Sequence, residues 1–319
     1  MTKCIFAALG VALALVTASR AWAEEQLKYG TAIQFSPNFY LPVLAAEEQG
    51  FFKKNGVNAE WFPARSGADL HRDLASSAVK IASSTGPADV LAIARGVPTV
   101  VVANLQGEDN FSIWVRADSR FHKPQDLKGA KLGVSQLGGA EHAYGRLVAK
   151  RLGLENDVHY VATGGIRESL AILQTGGIDG VVLTPSLMIN LKLDGKVREL
   201  LQVHDYQASP WEAYTIIATK DFVGKEPATV ERVVRSILEA NRFVMGKTGK
   251  AWAIETMKKQ NKYSDAAAAA IYDTLSLSPD GKIDRQGIKN LTDFMVEYGL
   301  LKQGELPPLD TLYTNKFVR

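Results

Sequence analysis

The residues of this sequence best suited to binding a small molecule lie in four short loops that contain glycine. They are Arg65-Ser66-Gly67-Ala68, Ser84-Thr85-Gly86-Pro87, Gln136-Leu137-Gly138-Gly139 and Thr163-Gly164-Gly165-Ile166. Each follows a strand-like run and opens a helix-like one. The first turn of a helix presents unpaired N–H groups and a positive dipole end, and glycine lets a ligand approach the backbone. We expect these loops to bind an anionic or carbonyl-rich solute, the alternative being ordinary helix N-caps.

Further side chains beside these loops could contact the same solute. The Arg65 guanidinium is suited to a carboxylate, sulfonate or phosphate, although a solvated arginine is the alternative. Trp211 lies where the chain is predicted to return between two units, so it could close over a ligand or simply pack. Just after the first strand come Gln34, Ser36, Asn38 and Phe39. Their amide and aromatic side chains are predicted to form one wall of the ligand site, the alternative being a packed turn.

The sequence contains no recognisable catalytic or metal-binding motif. Its five histidines lack zinc-site spacing, and neither G-x-S-x-G nor G-x-G-x-x-G occurs. Cys4 is the single cysteine, and 37 Lys+Arg against 34 Asp+Glu give no strong basic field. We therefore expect no enzyme, no cofactor, no metal site and no nucleic-acid partner.

The first 23 residues are predicted to be a signal peptide. Lys3 precedes an almost unbroken apolar run, and Ala21-Trp22-Ala23 has the small-x-small form of a cleavage site. The run is short for a membrane span, which disfavours an N-terminal anchor. Cleavage after Ala23 leaves 296 residues with a net charge of +1 and no cysteine, so we expect a periplasmic protein.

Strand-like and helix-like runs alternate along the remaining chain. This order favours mainly parallel sheets with helices on both faces. We predict an α/β fold of two lobes, residues 24–112 plus 215–319 and residues 113–214, with a cleft between them. A later helix is predicted to bury one apolar face, made of Val230, Val233, Val234, Ile237 and Leu238.

Several stretches resemble the substrate-binding proteins of ABC importers, in the branch that serves nitrate, taurine, aliphatic sulfonates and thiamine-pyrimidine precursors. The matching stretches are LPVLAAEEQGFFKKNGVNAEWFPARSGADL (41–70), FSIWVRADSRFHKPQDLKGAKLGV (111–134), LAILQTGGIDGVVLTPS (170–186) and LSPDGKIDRQGIKNLTDFMVEYGLL (277–301). The resemblance implies a two-lobed periplasmic binding protein of type II, with parallel-sheet lobes joined by two hinge crossings.

The resemblance also implies a function and further site residues. It places ligand-binding loops at Ser135 to Ala140 and at Thr184-Pro185, in addition to the loops already named. The implied protein is a monomer that captures a small anionic solute of the sulfonate, taurine or nitrate type. It then delivers the solute to the permease and ATPase of an ABC importer. Two alternatives stay open: a thiamine-pyrimidine precursor binder or enzyme, and a sensing module that feeds a sensor kinase.

Overall fold

The computed structural model describes residues 26–32, 35–64 and 66–318. The predicted signal peptide, Gln34 and Arg65 lie outside the described residues, so cleavage after Ala23 stays a prediction. Among the residues that are described, no helix combines the length and apolarity needed to cross a bilayer.

Strands and helices alternate along the described chain, as the sequence predicts. The strands are β1 (Leu27–Thr31), β2 (Ala59–Pro63), β3 (Ile81–Thr85), β4 (Thr99–Gln106), β5 (Ser112–Arg116), β6 (Lys131–Val134), β7 (His159–Ala162), β8 (Gly180–Leu183), β9 (Val197–Gln202) and β10 (Tyr214–Thr219). The α-helices are α1 (Pro37–Glu48), α2 (Phe51–Lys54), α3 (Gly67–Ala75), α4 (Gly86–Ala94), α5 (Ala140–Arg151), α6 (Ile166–Thr175), α7 (Pro185–Leu193), α8 (Lys220–Lys225), α9 (Pro227–Val244), α10 (Lys247–Asn261), α11 (Asp265–Tyr272) and α12 (Arg285–Glu297).

The strands form two five-stranded sheets, one in each lobe. The first sheet has the order β2-β1-β3-β10-β4 and the second has the order β7-β6-β8-β5-β9. In the first sheet β2 lies on one side of β1 and β3 lies on the other. Because both crossovers are right-handed, α1 and α3 pack on opposite faces of the sheet. The lobe limits near residues 112 and 214 remain a prediction.

Each sheet is mainly parallel, as predicted, and one of its five strands runs opposite to the other four. The strand β10 pairs antiparallel with β3 and β4, and β5 pairs antiparallel with β8 and β9. Both exceptions are the strands that enter a sheet directly after the chain has crossed between lobes. A crossing delivers the chain to the edge where the parallel strands end, so the entering strand must run back in the opposite direction.

Apolar burial follows the sequence pattern closely. Strand β4 is buried along its whole length, and the predicted face of α9 is buried at all five positions. Helix α12 begins at Asp284, whose carboxylate accepts the Gln286 N–H at 2.7 Å. The hydrophobic core therefore holds the sheets and the carboxy-terminal helices as the amphipathic pattern requires.

A polar cluster is buried beneath α4 in the first lobe. Asp89 is fully buried and accepts a hydrogen bond from the Thr215 hydroxyl, and His71 Nε2 lies 3.4 Å from its other oxygen. Burial raises the pKa of Asp89 to about 7, with the Thr215 and Ser84 hydroxyls opposing the rise. Burial also lowers the pKa of His71 to about 4. Desolvation thus outweighs the attraction between the two groups, and His71 is neutral at pH 7.

The buried Asp89 predicts a pH-dependent stability difference. A carboxyl whose pKa is raised by folding stabilises the native state at low pH, and that contribution is lost as pH rises from about 4 to about 7. The stability of wild type relative to Asp89→Asn should therefore fall over this window, by up to about 4 kcal/mol. Urea unfolding at several pH values measures it, and the comparison cancels other titrating groups. The matched control is exposed Asp118→Asn, and a flat difference for Asp89→Asn would contradict the burial of a titrating carboxyl.

The start of α4 is packed against the second chain crossing, residues 207–213, which leads into β10. The Gly86 N–H donates to the Ala213 carbonyl at 2.9 Å, and a Cβ on Gly86 would lie 2.0 Å from the Glu212 carbonyl oxygen. That oxygen belongs to the backbone and cannot move aside independently. Glycine is thus needed at position 86 for close packing.

We expect Gly86→Ala to destabilise the fold by about 1–3 kcal/mol because the crossing must shift. Gly67→Ala is the matched control, since Gly67 also begins a helix and a Cβ there would meet nothing within 4 Å. Chemical denaturation measures both variants. Equal stabilities of the two variants would show that the crossing can move freely.

Candidate functional site

The carboxyl ends of the strands in the two sheets face each other. The first crossing, residues 107–111, joins the end of β4 to the start of β5. At that start, Ser112 is paired with Leu183 and Gln202, the last residues of β8 and β9. Five linking residues span at most about 20 Å, so these edges must lie close together. Ligands of open α/β sheets bind at such carboxyl edges.

Two tyrosines fix the first crossing in place. The Tyr144 hydroxyl, on α5 of the second lobe, donates to Asp109, and the Tyr214 hydroxyl donates to Asn110 Oδ1 at 2.6 Å. Burial raises the pKa of Asp109, while the Tyr144 hydroxyl and nearby backbone amides oppose the rise. The crossing is therefore anchored from both lobes.

A buried glutamate fixes the second crossing. Glu212 Oε1 accepts the Asp284 N–H at 2.8 Å, and its Oε2 accepts from the Asn104 amide. Burial raises the pKa of Glu212 to about 7. These bonds join the crossing to β4 and to the start of α12.

A cavity of about 300 Å³ lies between the lobes beside the first crossing. Gln106 and the crossing form one part of it, and Pro185 and Lys192 of α7 with Glu199 of β9 form another. First-lobe residues Ala270 and 273–276 close it. The cavity adjoins the predicted site residues, because Gln106 Oε1 accepts from Asn38 Nδ2 at 2.7 Å and Pro185 follows Thr184.

The charges that line the cavity are mainly acidic. Ionisable side chains on its wall are Glu108, Asp109, Glu199 and Asp273 against Lys192 and His204. The Ser112 hydroxyl donates to Glu199 at 2.6 Å, and Lys192 Nζ lies 3.8 Å from that carboxylate. An anionic group is disfavoured inside this cavity, whereas an ammonium group would be attracted. The sequence analysis did not predict these charged residues of the cavity wall. The polar run from Gln106 to Asn110, directly after β4, could have indicated part of them.

Five helices begin at the facing edges without a side-chain cap on their N-terminal N–H groups. Their N-cap residues are Ser36, Thr85, Gly139, Gly165 and Thr184, and none makes a side-chain capping bond. First-turn N–H groups without a cap can bind an anion. The Gly86 N–H of α4 is already bonded to Ala213, and Pro37 and Pro185 at the start of α1 and α7 have no N–H. The predicted loops therefore do present helix N-termini to the cleft.

Acidic residues in the first turn separate these helices into two groups. Helices α4, α5 and α6 carry Asp89, Glu141 and Glu168 there, so a carboxylate already competes for each dipole end. Helices α1 and α7 carry no acidic residue in the first turn. The best anion receptor at the facing edges thus lies at α1 and α7.

Some of the predicted first-lobe side chains already contact other parts of the protein, whereas others have hydroxyls that cap no helix. Ser84 is fully buried facing Asp89, Phe39 is fully buried edge-on to Tyr214, and Ser66 caps α3 through the Asp69 N–H. The hydroxyls of Ser36 and Thr85 make no capping bond. Asn38 is held by Gln106 at the rim of the cavity. Their roles as ligand-binding residues stay predictions.

Predicted residues of the second lobe are likewise divided. Glu141 accepts from both the backbone N–H and the hydroxyl of Ser135, and the Gly138 N–H donates to His142 Nδ1 at 2.9 Å. Gly138 and Gly164 have φ values of +79° and +88°, which glycine adopts readily. Gly139 and Gly165 are N-caps, and the Thr184 hydroxyl lies 3.0 Å from that of Ser186.

Trp211 occupies a different place from the cavity. It is buried in the second crossing, packs edge-on against Phe294 of α12, and its indole N–H has no hydrogen-bond partner among the described residues. Its contacts therefore join the second crossing to α12. The described part of the chain contains no cluster of three or more His, Cys, Asp and Glu side chains placed to hold a metal ion.

Three curated relatives differ in what their names describe. A putative thiamine biosynthesis protein of Haemophilus influenzae is 23% identical over 94% of this chain and 95% of its own length. The taurine-binding periplasmic protein of Escherichia coli is 27% identical over 62% of this chain and 61% of its own. A yeast enzyme, the 4-amino-5-hydroxymethyl-2-methylpyrimidine phosphate synthase THI5 of Saccharomyces cerevisiae, is 21% identical over 67% and 66%.

Solved structures share the fold across nearly the whole chain. The periplasmic aliphatic sulphonate binding protein SsuA of Escherichia coli has a TM-score of 0.74 at 18% identity, over 91% of this chain and 92% of its own. A Candida albicans protein described as having the generic periplasmic binding protein fold gives 0.74 at 15%, over 92% and 97%. The desulfurization enzyme DSZB gives 0.65 at 16%, over 92% and 97%.

These likenesses confirm the predicted fold, the two-lobed fold of periplasmic binding proteins. The fold is shared by binding proteins and by enzymes, so it does not by itself decide between them. The family model described as NMT1/THI5 like matches residues 37–251, about two thirds of the sequence. The chain therefore belongs to the NMT1/THI5-like family.

Proposed function

We propose that this protein is an exported solute receptor that captures a small sulfonate between its lobes and delivers it to an ABC importer. The observation that carries the proposal is the pair of uncapped helix N-termini, α1 and α7, that lack a first-turn acid. Pro185 of α7 lines the interlobe cavity, and Asn38 of α1 donates to Gln106 on the cavity wall. A sulfonate suits N–H donors at a positive dipole end. Each helix offers its dipole end and the N–H of its second residue, Asn38 or Ser186, because its first residue is a proline.

The acidic cavity beside α7 narrows the proposed solute to an aminosulfonate of the taurine type. Taurine carries a sulfonate at one end and an ammonium at the other. The sulfonate suits the helix N-termini, and the ammonium suits the wall that contains Asp109 and Glu199. The curated taurine-binding relative supports the same solute class. Arg65, adjacent in sequence to the start of α3, is proposed as an additional anion partner.

Binding across both lobes also explains how the receptor would signal its loaded state. A solute that contacts both lobes favours their closed arrangement and shifts the population toward it. The partners are then a permease and ATPase that recognise the closed form. No reacting group is required of the protein.

A thiamine-pyrimidine precursor binder or synthase is the second candidate. It is supported by the thiamine-related relatives and by the shared fold of enzymes. The two candidates differ in ligand chemistry and in whether the ligand is changed.

A thermal-shift screen against sulfonates, nitrate, carboxylates, pyrimidines and amines tests the function. A solute that binds only the native state raises the melting temperature by mass action. Taurine should raise it more than ethanesulfonate, which is nearly the same molecule without the amine. Mass spectrometry should recover the bound solute unchanged. Stabilisation by pyrimidines alone, or conversion of the solute to a product, would favour the second candidate.

A charge placed in the first turn of α7 tests the anion site. Leu187 is 41% exposed, so Leu187→Glu should fold normally, and an acid there suits the helix dipole. The new carboxylate should compete with the sulfonate and weaken its binding by about 0.5–2 kcal/mol. Calorimetry measures the affinity, with Leu187→Gln as the uncharged match. Leu193→Glu, at the other end of the same helix, is the control for position. Equal affinities of Leu187→Glu and Leu187→Gln would remove α7 from the anion site.

A further inference from the structure

The end of α10 holds the loop that precedes α1. Asn261 Nδ2 donates to the Phe35 carbonyl at 2.8 Å, and the Tyr40 hydroxyl donates to Asn261 Oδ1. Phe35 lies directly before Ser36, the N-cap of α1. Asn261 therefore positions the loop at the first-lobe half of the proposed anion site.

The same segment reaches the other lobe through Tyr263. The Tyr263 hydroxyl donates to the Ser186 carbonyl at 2.8 Å, in the first turn of α7. Burial raises the pKa values of both Tyr40 and Tyr263, so both hydroxyls stay protonated and able to donate. Helix α11, which follows Tyr263, packs along α7. Asn261 and Tyr263 thus connect the N-termini of α1 and α7.

The residue between them has an unfavourable backbone conformation. Lys262 has φ +59°, the left-handed region that costs energy for a residue with a Cβ, and its side chain is exposed. Lys262 is the C-cap of α10, and its N–H donates to the Lys258 carbonyl at 3.0 Å, so the left-handed conformation ends the helix. The turn brings the two side chains together, with Asn261 Nδ2 3.4 Å from the Tyr263 hydroxyl. Such strain persists where the surrounding contacts determine the geometry.

We propose that Asn261, Lys262 and Tyr263 form an interlobe latch that holds the lobes closed over the solute. The latch aligns the two helix N-termini that receive the anion, and Tyr263 is its contact across the cleft. The identity of the solute rests on the proposed function, whereas the contact of Tyr263 with Ser186 does not depend on which solute is bound. Removing the Tyr263 hydroxyl should therefore open the lobes even when no solute is present.

The interlobe distance in the absence of solute is the direct test. The chain from Glu24 onward has no cysteine, so Ala75→Cys and Arg167→Cys, both at exposed positions, allow fluorescent labels to be attached to α3 and α6. Tyr263→Phe should shift the distance distribution toward longer values than wild type. Tyr272→Phe is the matched control, because its hydroxyl donates to the Val244 carbonyl at 2.9 Å within the first lobe. An unchanged distribution for Tyr263→Phe would overturn the latch.

Solute binding supplies a second readout that a purely structural role would not change. With the solute found in the thermal-shift screen, Tyr263→Phe should dissociate faster and bind about 2- to 10-fold more weakly, the effect of one net hydrogen bond. Tyr272→Phe should keep wild-type rates. If no solute stabilises any form, the proposed function fails, while the distance measurement still decides the latch.

Relief of the strain completes the test. Lys262→Gly removes the Cβ without removing either hydrogen-bonding side chain, so the closed distance distribution should persist and the melting temperature should rise by a few degrees. Lys262→Ala keeps the Cβ, removes the rest of the side chain and should leave both values near wild type. An opened distribution in Lys262→Gly would contradict a latch set by Asn261 and Tyr263.

Discussion

The constraint on which the rest of the structure depends is that the chain crosses twice between the same edges of two sheets. Five residues make the first crossing, and its anchors Asp109 and Asn110 are held by tyrosines from both lobes. The second is held by Glu212. The carboxyl edges of both sheets are therefore brought face to face, together with every helix that begins there. Both antiparallel strands follow from the same constraint, since each enters its sheet from a crossing.

Local charge rather than net charge determines what this cleft can bind. The sequence has a net charge of +3, and +1 if cleaved as predicted, so its overall field attracts an anion weakly. First-turn acids oppose an anion at three of the uncapped helix N-termini but are absent from α1 and α7. Acidic side chains on the adjoining cavity add a place for positive charge. A solute with both charges fits this arrangement better than a simple anion, which is why the amine of taurine matters to the proposal.

Much of the architecture is predictable from local sequence because it depends on short-range patterns. The apolar face of α9 and the strand-to-helix loops follow from periodicity and glycine placement. The partner that each side chain contacts is not predictable in this way. The Ser84 hydroxyl faces Asp89, and the Ser135 hydroxyl donates to Glu141. The cavity depends on long-range packing, which brings Lys192, Glu199 and residues 273–276 together. The first-turn acids, in contrast, were visible in the sequence and would have separated α1 and α7 from the other helices.

The central claim, that a solute is held between the N-termini of α1 and α7, is tested most directly by a crystal structure of the protein with its stabilising solute. The account predicts a sulfonate within hydrogen-bonding distance of first-turn N–H groups of both helices, with any amine directed toward Asp109 and Glu199. A solute bound to one lobe alone, or a chemically altered product between the lobes, would contradict it.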